Sequence, residues 1–293
     1  MQAVILAGGK GTRLSADPDA PPKPLTPLGG VSVLDHLLGR IGPQGVGDIV
    51  ICSSYRADMV ERAIGDGARY GLRVRHVVER TPLGTAGAVR AVADLLDDRF
   101  LVVYGDVLAD VDLAAMVAFH ARSGALATLA VHPNDHPFDS DRVVTDRHGK
   151  VLRMARKEDS AGPEAGALCN AALYVVERRL VLDHIPDDGV ARDFARDVFP
   201  SVLRGGGALS AWRTTEYLKD MGTPKRRARV EADLAAGVPA RMRRASSRPA
   251  VLLDRDGVLV EDVPYITKTE QVTLIPGAAS ALARLNASHT LAA

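Results

Sequence analysis

The segment Gly8-Gly9-Lys10-Gly11-Thr12-Arg13 gathers three glycines and two cations directly after an apolar run, residues 3–7. Glycines let a backbone bend tightly and approach a phosphate with no Cβ in the way. Successive backbone N–H groups then point at the anion, and Arg13 adds a cation suited to phosphate oxygens. A plain tight turn after a strand has a similar composition. Two nucleotide motifs are excluded by spacing: Lys10 precedes Gly11, so the lysine and threonine of a P-loop are not adjacent, and Leu14 stands where a dinucleotide fingerprint needs its last glycine.

Lys23 follows Arg13 by ten residues, between Pro22 and Pro24. The flanking prolines predict a stiff, extended segment from which the lysine reaches the same phosphates. Taken alone, such a lysine is most simply a solvated surface residue. His132 and His136 have helical spacing, but Pro133 and Pro137 interrupt them, so no metal pair is expected. Ser15, Ser53 and Ser54 lack the G-x-S-x-G setting of a hydrolase nucleophile. Cys52 and Cys169 form no C-x-x-C pair and are read as free packing thiols in a reducing compartment.

Elements must hold these residues in place. Residues 3–7, 48–52 and 100–104 are short β-branched runs, the pattern of strands buried on both faces of a parallel sheet. Between them, residues 86–96 carry a helical stripe, and a second helix is expected from Asp112 as N-cap, with Leu113, Met116, Val117 and His120 on it. Further strands are expected at 127–131 and 171–176, and helices at 190–203 and 224–236. The alternation predicts an α/β fold: a Rossmann-like open sheet, mixed but mostly parallel, with helices on both faces.

The chain has 293 residues, room for one large domain or two. Its 37 basic and 36 acidic residues leave a net charge of +1, which argues against nucleic acid as the partner. With no signal-peptide pattern and no apolar run near the ~18 residues of a membrane span, a cytoplasmic protein is expected, with no membrane partner. A homo-oligomer is compatible with this composition. Residues 237–249 bring Gly, Pro, Ser and four arginines with little periodicity and read as a linker, dividing a first domain, 1–236, from a segment at 250–293.

The glycine loop and Lys23 together resemble the sugar-nucleotide pyrophosphorylases, the nucleotidyltransferases that act on sugar 1-phosphates. Their L-A-G-G-x-G-T-R-L signature is matched at Leu6, Ala7, Gly8, Gly9, Gly11, Thr12, Arg13 and Leu14, and their P-K-P-L at residues 22–25. The likeness continues through Pro82-Leu83-Gly84-Thr85-Ala86-Gly87-Ala88, a segment that in the family lines the nucleobase and sugar pockets. Tyr104-Gly105-Asp106 and Asp220-Met221-Gly222-Thr223-Pro224 match the positions of the two metal-binding aspartates, and Asn170-Ala171-Ala172-Leu173-Tyr174 resembles a sugar-contacting N-A-G-x-Y. The family's E-K-P stretch is altered to Arg156-Lys157-Glu158, so Lys157 retains the sugar-phosphate lysine while the glutamate is gone. Ala172 replaces a glycine, a change expected to narrow the acceptor pocket.

The resemblance implies catalytic roles for Arg13, Lys23, Asp106 and Asp220, with Mg²⁺ on the two aspartates. Taken singly, Asp106 reads equally as a turn residue after a strand and Asp220 as an N-cap. A strand-end aspartate does lie where open α/β sheets place ligands, and two carboxylates suit an ion that bridges triphosphate oxygens. The implied partners are an NTP and a sugar 1-phosphate. Guanine offers N1–H and N2–H donors that an acceptor such as Glu79 suits, so GTP is favoured.

A second resemblance begins at Val251-Leu252-Leu253-Asp254-Arg255-Asp256-Gly257-Val258, an apolar strand ending in D-x-D-G-V. It is similar to the haloacid-dehalogenase phosphatases, in the branch acting on histidinol phosphate and heptose bisphosphate. Asp254 matches their nucleophile and Asp256 their general acid/base; an Asp- and Gly-rich turn is the simpler alternative. The segment at 250–293 holds 44 residues and none of that family's later motifs, so an incomplete domain without phosphatase activity is expected. A heptose-bisphosphate phosphatase makes a heptose 1-phosphate. The fusion therefore implies D-glycero-D-manno-heptose 1-phosphate as first-choice substrate, with hexose 1-phosphates and GTP, dTTP or UTP as the alternative, and a non-catalytic nucleotide-sugar sensor as another.

Overall fold

Apolar runs that alternate between two covered faces form the centre of the sheet. Ala3 and Ile5 face one hydrophobic core and Val4 the other; Ile49 and Ile51 face the first, Val50 and Cys52 the second. A computed structural model describes residues 1–9, 20–133, 141–155, 168–247, 249–288 and 290–292. They divide into two units, Met1–Pro239 and Ala240–Ala293.

The first unit contains, in chain order, β1 (Gln2–Leu6), the small hairpin β2 (Pro27–Leu28) and β3 (Val31–Ser32), α1 (Val33–Ile41), β4 (Asp48–Ser53), α2 (Ala57–Ile64), β5 (Arg73–Val78), α3 (Gly84–Ala91), β6 (Arg99–Tyr104), β7 (Val107–Asp110) and α4 (Leu113–Ser123). There follow β8 (Ala127–Pro133), β9 (Arg142–Thr145), β10 (Val151–Ala155), β11 (Leu168–Glu177), α5 (Arg178–His184), α6 (Phe199–Arg204), β12 (Leu209–Arg213), β13 (Tyr217–Asp220) and α7 (Pro224–Ala235), and the short α8 (Val238–Met242) contains the division between the units. The sheet runs β10-β9-β11-β6-β1-β4-β5, with β8 against β11 and β12 against β8. β1, β4, β5, β6, β8, β9 and β12 point one way, β10 and β11 the other.

Helices cover both faces. α1, α2 and α4 send Leu34, Leu37, Leu38, Val60, Ile64, Leu113 and Met116 into one core; α3, α5 and α6 send Val89, Leu180, Val181, Phe199 and Val202 into the other. Each such side chain, fully buried, stabilises the fold by about 1.5–3 kcal/mol. The expected cap of α4 is formed, Asp112 accepting from the Ala115 amide at 2.9 Å. Both cysteines are buried thiols, and burial pushes Cys52 up to about 12.

Three expected elements differ in extent. The helix expected at 86–96 starts two residues earlier and gives way after Ala91 to a 3-10 turn, Ala93–Leu95. The helix expected at 190–203 begins only at Phe194, with a π turn leading into α6, because Asp193 caps the Ala195 and Arg196 amides. Arg192 is not helical; its carbonyl accepts from the Ala86 amide of α3 at 2.9 Å. Within the stretch read as a linker, 237–249, α8 forms a helical turn with Val238 and Pro239 buried.

The second unit carries β14 (Ala250–Val251), α9 (Ala278–Ala287) and β15 (Leu291–Ala292), the two strands paired in parallel.

Candidate functional site

β1 ends at Leu6, and the chain turns through Ala7-Gly8-Gly9 at the carboxyl edge of the sheet, where ligands bind in open α/β folds. The turn is held from both sides: the Ala7 amide donates to the Cys52 carbonyl at 2.7 Å and the Gly105 amide to the Leu6 carbonyl at 2.9 Å. Ser54, just past β4, donates its hydroxyl to the Gly8 carbonyl at 2.9 Å. A Cβ on Gly8 would stand 2.9 Å from that hydroxyl oxygen, so glycine is what allows this approach. Lys10, Gly11, Thr12 and Arg13, and likewise Lys157, lie outside the described residues.

Lys23 opens a single 3-10 turn, Lys23–Leu25, rather than the extended segment its prolines predict; the Leu25 amide closes the turn on the Pro22 carbonyl at 2.8 Å. Pro24 is buried, and the lysine's ammonium pairs with the carboxylate of Asp106.

The two aspartates are neighbours by strand pairing. β7 and β13 form an antiparallel ribbon in which Asp220 faces Val107, the residue after Asp106, and the Met221 amide donates to the Asp106 carbonyl at 3.3 Å. Burial works against ionisation of Asp220. The Gly222 amide, at 2.8 Å, with Arg226 and the charge of Lys23, outweighs it and holds the carboxyl below the usual range. Among the described residues no three His, Cys, Asp or Glu gather as a metal cage. Two carboxylates suit Mg²⁺ all the same, since that ion is commonly held by one or two carboxylates and completed by substrate phosphates and water.

A cleft of about 410 Å³ joins these parts, within the range of small-molecule sites, ~300–1,000 Å³. Leu6, Gly8, Gly9, Lys23, Glu79, Pro82, Gly84, Thr85 and Asp106 line it. Glu79, past the end of β5, accepts from the Leu83 amide at 3.1 Å; burial raises its carboxyl pKa, more than that hydrogen bond lowers it. Gly84 has φ +72°, and a Cβ there would stand 2.4 Å from the Arg192 carbonyl oxygen. The Thr85 hydroxyl is spent on structure, donating to Asp193 at 2.8 Å and accepting from the Phe194 amide at 3.0 Å.

Asn170 sits on a bulge of β11, donating to the Tyr174 hydroxyl at 2.9 Å and accepting from the Ala172 amide at 3.2 Å. Ala172 has φ +55°, so the glycine-to-alanine difference there is first a matter of backbone conformation. In the second unit Asp254 and Asp256 are exposed, and Arg255 donates to both Asp256 oxygens at 2.8 Å.

Sequence reasoning missed Ser54, Tyr104 and Arg226. Ser54 and Tyr104 both line the cleft from strand ends, so the carboxyl-edge rule applied to every strand would have found them. Arg226 lies in a run of cations, Lys225-Arg226-Arg227, which does not reveal which one turns inward.

The chain belongs to the nucleotidyl transferase family, whose model matches residues 2–236. It is 37% identical over 240 residues to a mannose-1-phosphate guanylyltransferase of Mycobacterium tuberculosis, covering 81% of this chain and 66% of that protein. It is 32% identical to a UTP–glucose-1-phosphate uridylyltransferase of Synechocystis, covering 70% of this chain and 56% of that protein. The chain thus spans less than two thirds of the length of these relatives. The fold is shared with the crystal structure of HddC from Yersinia pseudotuberculosis complexed with GMP-PN, at TM-score 0.68 and 24% identity, covering 80% of this chain and 99% of that one. It is also shared with a Bacillus anthracis protein whose crystal structure holds a sucrose, at TM-score 0.70 and 20% identity, covering 79% of this chain and 94% of that one. Among the described residues no helix is long and apolar enough to cross a membrane.

Proposed function

We propose that this protein transfers a nucleotidyl group from an NTP to a sugar 1-phosphate, giving an NDP-sugar and pyrophosphate. The observation that carries the reading is that Lys23 and Asp106 line one cleft with the Gly8-Gly9 turn, while the β7–β13 pairing brings Asp220 close to them. An oxygen of the sugar phosphate attacks the α-phosphorus in line, and the bond to pyrophosphate breaks. Little covalent work falls to the protein, which must bring two polyanions together and balance their charge.

The amides of the glycine turn and Arg13 take the β- and γ-phosphates. Lys23 and Lys157 take the attacking and α-phosphate oxygens. Asp106 and Asp220 hold Mg²⁺, which when bound supplies charge neutralisation on the phosphate oxygens. Asn170 orients the sugar. Glu79 accepts from the guanine N1–H and N2–H, so GTP is the donor, in keeping with the guanylyltransferase name of the mycobacterial relative.

The acceptor is a manno-configured sugar 1-phosphate. D-glycero-D-manno-heptose 1-phosphate is the first choice, because Asp254 and Asp256 resemble the D-x-D of heptose-bisphosphate phosphatases. Mannose 1-phosphate is the second reading, favoured by the name of the relative at 37% identity. No phosphatase activity is assigned to residues 250–293, where Asp256 is tied up by Arg255. Pyrophosphate release measured with four NTPs against both sugar phosphates tests the whole assignment. No release from any pair overturns the enzyme reading in favour of a nucleotide-sugar sensor, and release with another NTP overturns the role of Glu79.

A further inference from the structure

Two side-chain cations already stand on the two carboxylates proposed for the metal. Lys23 is on Asp106. Arg226, in the first turn of α7, places Nη1 2.9 and 3.1 Å from the two oxygens of Asp220. This is no loose surface pair: the Arg226 side chain is only 18% exposed. Thr223, the N-cap of α7, accepts from the Arg226 amide at 3.3 Å and fixes where the side chain starts. The two cations also converge. A Cβ built on Gly222 would lie 2.9 Å from Asp220 Oδ1, 3.6 Å from Arg226 Nη1 and 3.9 Å from Lys23 Nζ.

An ion and a guanidinium cannot both take the same carboxylate lone pairs, and like charges at such a distance repel. A divalent ion that binds across both oxygens of Asp220 must therefore displace Arg226, and one on the remaining lone pairs meets its positive charge at close range. A polyphosphate entering the cleft offers the displaced guanidinium a planar, bidentate anion in exchange. We infer that Arg226 is a positioning residue that occupies Asp220 in the nucleotide-free protein and yields it when metal and nucleotide arrive together. Its guanidinium then turns to the phosphates. Metal and nucleotide binding are thereby coupled: the ion binds weakly alone and well with the triphosphate. This inference rests on the metal reading of Asp106 and Asp220 given above.

The test is Mn²⁺ binding to the intact, nucleotide-free protein, followed by the electron paramagnetic resonance of free Mn²⁺. Arg226→Gln is expected to tighten Mn²⁺ binding about tenfold, the factor that 1.4 kcal/mol represents. Arg226→Lys, which keeps the charge, should stay near the wild-type affinity. With GTP present the tightening should vanish, and the KM for GTP should rise more than kcat falls. Loss of binding in Asp220→Asn, with unchanged or weaker binding in Arg226→Gln, overturns the role of Arg226 alone. Mn²⁺ binding unaltered in both Asp106→Asn and Asp220→Asn overturns the metal reading itself and this inference with it.

Discussion

The ammonium of Lys23 rests on the carboxylate of Asp106, a residue 83 positions further along the chain. The pair joins the two ends of the cleft floor, the proline-flanked turn and the end of β6. Removing the carboxylate removes both a proposed metal ligand and the anchor of the lysine. Asp106→Ala is expected to lower pyrophosphate release by orders of magnitude while the circular dichroism spectrum and melting temperature stay close to wild type. Near-normal turnover would take Asp106 out of the reaction.

Ala172 stands at φ +55°, where a Cβ crowds the following carbonyl. Glycine adopts this conformation freely, so Ala172→Gly should stabilise the protein by about 1 kcal/mol. In a domain of this size that corresponds to a rise of roughly 2–4 °C in melting temperature. A melting temperature that falls would show that the bulge gains more from the Ala172 methyl than its backbone loses.

Gly84 combines φ +72° with a carbonyl oxygen 2.4 Å from where a Cβ would be. Gly84→Ala therefore meets conformational strain and a backbone clash together, at a cost of about 2 kcal/mol or more. The denaturant midpoint should drop, and the KM for the NTP should rise because α3 starts there. An unchanged midpoint would mean that the Arg192 segment gives way easily.

Glu79 carries a pH signature. Burial raises its carboxyl pKa in the folded protein, so folding favours the protonated form. The associated stability is present below the unfolded value and is lost as pH rises through the folded one. Glu79→Gln removes that loss and should melt higher than wild type at neutral pH, with the difference shrinking as the pH is lowered toward 4.5, the ordinary value for this carboxyl, and absent below it. Its preference for GTP should fall at the same time. A melting difference independent of pH would count against the buried charge as the cause.

The sequence made the centre of the fold legible because β1, β4 and β6 are buried on both faces and show it as unbroken apolar runs. β5 was not legible: Arg73, Arg75 and His76 interleave with its valines, as suits a strand at the edge of the sheet. Neither was the β7–β13 ribbon, whose strands have four residues each and draw their meaning from a partner a hundred positions away. The site divided in the same manner. Motifs marked Lys23, Asp106 and Asp220, but that Lys23 sits on Asp106 and Arg226 on Asp220 follows from chain crossings that no local spacing records. The start of the predicted helix at 190–203 was misplaced because the Arg192 carbonyl turns toward α3, a tertiary contact that overrides local propensity.

The β7–β13 ribbon also bears on how the protein is made. A ribosome that has released the glycine turn, Lys23 and Asp106 has not yet released a working site, because Val107 awaits its partner Asp220 near the end of the family-matched region. The sheet centre forms from strands already emerged, as domains do during synthesis. The Asp220 half of the carboxylate pair is added only when that region is almost entirely translated, so a nascent chain cut short before residue 220 lacks one of the two carboxylates proposed for the ion.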